Sequence, residues 1–198
     1  MKNAKYTSRE LKAKKTKEKL FDIAIGLIKE KGYNRVSINE ICKGAGVTKG
    51  AFYHHYNTKE EILIQLYKDV DDYYQVRVLD ELENKSILDK IKLFIKHHVY
   101  CAEGIGVDIV KEIFKGQTNI LNQFITLEDR PFYQILIDVI KEGQREKILR
   151  QDISSKDLCN YIIVFSRGLI QDWYMKDGAY DINEKSEKYL DIFINSLR

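Results

Sequence analysis

A single proline, Pro131, in 198 residues is the feature that most narrows what this chain can fold into. With only eleven glycines beside it, the chain lacks the turns that an all-β sandwich or barrel needs, and long helices are the natural outcome. The class expected is all-α. A hydrophobic fraction of 44% can supply one sizeable core, or a small head joined to a larger body. The longest apolar runs, such as CNYIIVF at 159–165, fall well short of the roughly 18 residues of a membrane span. The basic N-terminus has no apolar segment of the secretory kind, so a cytoplasmic protein without a membrane partner is expected, and Asn84-Lys85-Ser86 reads as a chance glycosylation match. Cys42, Cys101 and Cys159 are odd in number and far apart, which argues for small core residues rather than a disulfide framework.

The net charge of +3 hides a division. Residues 1–60 carry 14 Lys/Arg against 6 Asp/Glu, and residues 61–198 carry 19 against 24. A basic end on an acidic body suits docking of a polyanion by that end. The boundary also marks the expected organisation, a head over 1–60 and a body over 61–198.

Residues 1–16 show no sustained apolar period and read as an arm or frayed helical start, after which Leu20, Ala24, Leu27 and Ile28 recur at helical spacing until Gly32. Ser37-Ile38-Asn39-Glu40 is a capping box opening a short second helix with Ile41, Cys42 and Ala45 on one face. Gly46 supplies a tight turn, Thr48 caps a third helix from Lys49 to about Tyr56, and Thr58-Lys59-Glu60-Glu61 starts a long fourth. Beyond it, breaks are expected near 83–86, 104–106, 116–119, 128–131, 151–155 and 177–183, giving nine or ten helices in all.

Two short helices around an Ala-Gly-Val corner over 37–56 have the shape of a helix-turn-helix, whose second helix would enter a DNA major groove. Thr48, Lys49, Gly50, Tyr53, His54 and His55 are its exposed positions, offering a hydroxyl, a cation, a close-approach glycine and aromatic donors. A plain helical hairpin would have the same shape but no reason to lie in the most basic third of the chain.

The stretch KEKLFDIAIGLIKEKGYNRVSINEICKGAGVTKGAFYHHYNTKEEIL resembles the N-terminal domain of TetR-type transcriptional regulators, in its first helix, Gly-Tyr corner, helix-turn-helix and Tyr-His-His-Tyr close. Tyr56 stands where that family usually has phenylalanine. The resemblance implies that Tyr53 and Lys49 approach base edges or the adjoining backbone, that Thr48, His54, His55 and Lys59 hold phosphates, and that Ser37 presents a helix amide end to the backbone. The last two roles also follow from the attraction of helix N-termini for anions. The family further implies a homodimer bound to palindromic operator DNA and released by a small-molecule effector held in the body, usually as a repressor.

Nothing points to catalysis or a cofactor. Gly44-x-Gly46-x-x-x-Gly50 lacks the preceding strand of a dinucleotide site. His97 and Cys101 share a helical face, but His98 lies on the apolar stripe with Ile87, Ile91, Ile95 and Ala102, so the three do not converge on a metal. His98 reads first as a satisfied interior histidine, and as a wall of an effector pocket together with Phe94, Phe114 and Tyr133 if a ligand satisfies it instead. Pairing is expected through helices at about 132–148 and 156–176, with Phe132, Leu136, Val139, Leu158, Ile162, Phe165, Leu169 and Trp173 in the interface. The rival reading from another class is a helical adaptor whose basic end touches anionic lipid or RNA.

Overall fold

The computed structural model describes residues 7–115 and 119–198, and among them every regular element is helical. Two compact units emerge. The first comprises the described residues up to Gln65 together with a segment beginning at Glu112; the second runs from Leu66 to Lys111 and from Gln123 to Arg198.

In the first unit, α1 (Ser8–Lys31) is followed by a 3-10 turn (Tyr33–Arg35), α2 (Ile38–Ala45), α3 (Lys49–His55) and the start of α4 (Glu60–Tyr73). Helix α1 begins at Ser8, not near Leu20, because Thr7 and Glu10 form a reciprocal capping box. Its first two turns are largely exposed, and so their sequence needs no apolar period. Of the arm and the helical start expected over 1–16, the helical start is the one found, from Ser8; residues 1–6 lie outside the described residues. Leu20, Ala24 and Ile28 then form a fully buried stripe in a core that also holds Ile41, Cys42, Ala45 and Phe52. At Gly44 an added Cβ would stand 2.7 Å from Ile23 Cγ2, so the approach of α1 and α2 requires glycine. Gly46, at φ 66°, takes the left-handed conformation and returns its amide to the Cys42 and Lys43 carbonyls.

In the second unit, the helix begun as α4 passes through a π-turn (Tyr74–Val78) into α5 (Leu79–Leu82) as one rod. It is followed by α6 (Ile87–Ile105) and the start of α7 (Val107–Lys115), whose end groups with the first unit as does the start of α8 (Asn119–Ile125), and then by α9 (Pro131–Arg145), α10 (Ser155–Met175) and α11 (Ile182–Asn195). With that rod counted once, the α-helices number ten among the described residues. The break expected at 116–119 falls largely on residues outside the description. Tyr74, Phe94 and Phe132 stack edge and tilted at 4.8–4.9 Å in the centre of the body, and the Tyr74 hydroxyl donates to the Phe94 carbonyl at 2.7 Å.

Helix α9 starts with Pro131 at its first position, where a missing N–H costs nothing. Arg130 just before it is buried and meets Asp71 of α4 in a two-pronged pair, Nε to Oδ2 at 2.9 Å and Nη2 to Oδ1 at 3.0 Å. Asp71 also accepts the Phe132 amide at 3.2 Å, so one carboxylate ties the start of α9 to α4. At the far end of α10, Trp173 is buried against the turn at Gly178 (φ 69°), and its indole N–H donates to the Tyr180 carbonyl at 3.1 Å. No helix of the described residues is long and apolar enough to cross a membrane.

Candidate functional site

Thr48, Lys49, Gly50, Tyr53 and His54 are all exposed on α3 or its cap, and His55 is half-buried. What holds them there is Phe52, fully buried, with Tyr53 edge-on to it at 5.5 Å and Tyr56 tilted against it at 5.7 Å. Tyr56 is buried in the unit's core, the place where a phenylalanine would also serve. Thr48 Oγ accepts the Ala51 amide at 3.2 Å, which caps α3 and leaves the hydroxyl proton for an outside acceptor. Gly50 has no Cβ to stand between the backbone and a ligand, and only Thr48 Oγ lies near the place one would occupy, at 3.7 Å.

Ser37 and Lys59 are more committed. The Ser37 hydroxyl and amide both donate to Glu40, at 2.8 and 2.9 Å, and Lys31 joins the same carboxyl group at 3.1 Å. These contacts, the Ser37 amide first, hold the Glu40 carboxyl down to about 2. Lys59 Nζ donates to the carbonyls of Tyr33 and Val36, at 2.7 and 2.8 Å, and sits 4.1 Å from the centre of the Tyr33 ring. Two of its three donors thus fix the turn ahead of α2, leaving one for a phosphate. Glu112 accepts the Tyr33 amide at 2.7 Å from the other side of that turn.

In the body, His98 meets Ser166 of α10, Nδ1 to Oγ at 2.9 Å, and its ring packs on Phe132 at 4.8 Å. Ser166 has one proton, donated to the Ile163 carbonyl at 3.0 Å, so His98 carries its own proton on Nδ1 and donates it. The Nδ1 proton is thus satisfied by protein. Desolvation, reinforced by the charges of Arg167 and Arg130, pushes His98 down to about 3 from its ordinary 6.5. The unfolded chain then takes up this proton first as the pH falls. Stability is expected to drop by at most about 1.4 kcal/mol per pH unit below about 6.5 and to level off near 3, and His98→Asn should flatten the upper part of that slope in urea titrations.

Of the other residues expected around an effector, Phe94 shares the Phe132 ring with His98. Phe94 belongs to the aromatic core, and Phe114 lies in the segment that packs with the first unit. Tyr133 does line a cavity of about 240 Å³ in the second unit, bounded also by the segment from Ile125 to Glu128, by Arg130 and Phe132, and by Asn160, Ile163 and Arg167 of α10. Its hydroxyl is buried with no oxygen or nitrogen partner, beside the Cys159 thiol, itself pushed up to about 12 by burial. Arg167 was not among the expected residues, although an arginine inside the run IIVFSRGLI is itself a signal. His97 is held by the Tyr73 hydroxyl at 2.8 Å and by Glu81 at 3.1 Å, and among the described residues no group of three His, Cys, Asp or Glu could hold a metal.

Most of the expected pairing residues lie inside their own subunit, while Phe165 and Leu169 are half-buried. Phe132, Leu136, Val139, Leu158, Ile162 and Trp173 are buried inside their own subunit, and Phe165 stacks on Phe193 of α11 at 3.8 Å with Leu169 packed against the same core. The apolar stripe of α10 is spent on its own body. The opposite face, Tyr161, Val164, Gly168, Gln171 and Met175 at spacings of three and four, is the one left open.

Residues 16–66 match the family described as bacterial regulatory proteins, tetR family, and residues 70–196 match the C-terminal region described as YsiA-like protein. The fatty acid metabolism regulator protein of Bacillus subtilis (strain 168) is 26% identical over 181 residues, spanning 90% of this chain and 93% of that protein. The HTH-type transcriptional repressor KstR2 of Mycobacterium tuberculosis (strain ATCC 25618 / H37Rv) is 24% identical over 184 residues, 90% of each. The fold is similar to that of the transcriptional regulator FadR from Bacillus subtilis in complex with stearoyl-CoA, with a TM-score of 0.78 and 24% identity over 91% of this chain and 99% of that one.

Proposed function

Because the chain belongs to the tetR family of bacterial regulatory proteins, we propose that it represses transcription by placing α3 of each protomer in successive major grooves of a near-palindromic operator. The protein is a homodimeric, ligand-responsive DNA-binding regulator, and its relatives are regulators rather than enzymes. The observation that carries the operator reading is the row of exposed groups on α3 within the most basic part of the chain. Lys49 and Tyr53 read or flank base edges. Thr48, with its proton free, holds a phosphate together with His54 and His55. Lys59 offers one remaining donor and acts mainly by fixing the turn that carries Ser37.

Lys49→Ala and Tyr53→Ala are each expected to weaken operator binding about tenfold or more with an unchanged circular dichroism spectrum. The logarithm of affinity should fall steeply with that of salt. Titrations unaltered by either substitution would remove α3 from the interface.

The effector acts by linkage, favouring a body conformation whose two α3 helices no longer fit the operator. A relative named for fatty acid metabolism and a neighbour bound to stearoyl-CoA support an effector with a long apolar portion. The two-fold contact uses the open face of α10, extended by Ile192 of α11, since the rest of the apolar surface on α10 is already covered.

A further inference from the structure

The cavity beside Tyr133 has an unbalanced charge. Arg130 on its wall is neutralised by Asp71, and Glu128 by Lys156 at 2.6 Å. His98, one turn of α10 away through Ser166, is held neutral. Arg167 on the same wall has no carboxylate partner among the described residues, and burial lowers it from its ordinary value, with Arg130 adding to the effect and Tyr67 opposing it. Asn160, Ile163 and Arg167 lie at i, i+3 and i+7 of α10 and so present one face to the cavity. Across from them stands Tyr133, 8% exposed, whose hydroxyl lacks an oxygen or nitrogen partner. A half-buried guanidinium without a counter-charge is costly, as is a buried hydroxyl with only the weak acceptor sulfur of Cys159 beside it, and a single anionic group would satisfy both. Ile125, Leu127, Phe132 and Ile163 supply the apolar part of the wall.

We propose that this cavity recognises the anionic end of an amphipathic effector, with Arg167 as its counter-charge and Asn160 and the Tyr133 hydroxyl as flanking hydrogen-bond donors. Arg130 is a positioning residue, locked by Asp71 and therefore not the one that answers the ligand. The inference rests on the reading of the body as effector-binding, and narrows the ligand to molecules carrying a carboxylate or phosphate on an apolar tail.

Calorimetric titration of the full-length dimer with decanoate, decyl phosphate and decanol tests it. Either anion should bind about tenfold or more tightly than the alcohol, the loss expected for one charge-assisted contact, and the stronger of the two identifies the headgroup. Arg167→Met should reduce the anion to the affinity of the alcohol, whereas Arg167→Lys should retain part of the preference. Tyr133→Phe, which removes only the orphan hydroxyl, should raise the melting temperature of the ligand-free protein and weaken anion binding several-fold. Should Arg167→Met fail to fold, Asn160→Leu combined with Tyr133→Phe must weaken the preference several-fold instead, since Arg167 remains. Equal binding of alcohol and anions, no binding of any probe, or a preference that none of these substitutions diminishes overturns the proposal. Operator release is scored separately. Anion binding without release would remove the effector role and leave the site, while release by alcohol and anions alike would leave the effector role and remove the site.

Discussion

Asp71→Ala is expected to destabilise the protein by about 3–5 kcal/mol, because it strands a buried Arg130 guanidinium and the Phe132 amide without their acceptor. In a chain of this size that loss lowers the midpoint of thermal unfolding by on the order of 10 °C. The origin of the effect is the unpaired charge rather than the worth of the pair. Replacing both partners by apolar residues, Asp71→Leu with Arg130→Met, should therefore recover much of the stability, although the carbonyls of Ile125 and Tyr67 lose their long contacts to Arg130 as well. Thermal melts followed by circular dichroism decide it. A double variant no more stable than Asp71→Ala would mean that the carboxylate matters through the Phe132 amide alone.

Val164→Glu together with Ile192→Glu should leave monomers at micromolar concentration and reduce operator affinity by about 100-fold or more, since each head then binds without the effective concentration its partner provides. Both side chains are open in the protomer, Val164 at 65% and Ile192 at 74%, so charge is tolerated in the isolated subunit and repelled between two. Gly168→Leu is an independent arm: nothing within the subunit lies within 4 Å of an added Cβ there, yet a facing helix could not approach as closely. Sedimentation velocity and operator titration give the answer. A dimer that persists in both variants moves the contact elsewhere.

The head was largely legible because its signals are local. The capping box at Ser37 and Glu40, Gly46 at the corner and Thr48 at the cap each act within four residues, and each is found doing so. The start of α1 was hidden for the converse reason, since its first turns pack on little and leave no apolar period. In the body, periodicity located α10 but could not say which of its faces a partner takes. Leu158, Ile162 and Trp173 form a true stripe, and the stripe belongs to the subunit's own core. Asp71 and Arg130 are 59 residues apart, Tyr133 and Arg167 come from different helices, and no spacing rule joins such pairs. His98 shows the middle case. Its place on an apolar face was readable, but its partner Ser166, 68 residues on, was not.

Trp173 is the sole indole in the chain and sits in the body, shielded from water and hydrogen-bonded to the Tyr180 carbonyl. The protein thus carries an intrinsic optical label on one of its two units only. Loss of the α1–α3 packing would reduce ellipticity while leaving the emission colour of Trp173 to report on α10 and its closing turn. The two signals, recorded on the same unfolding curve, separate a head that melts alone from a molecule that melts as one, with no label added and no residue changed.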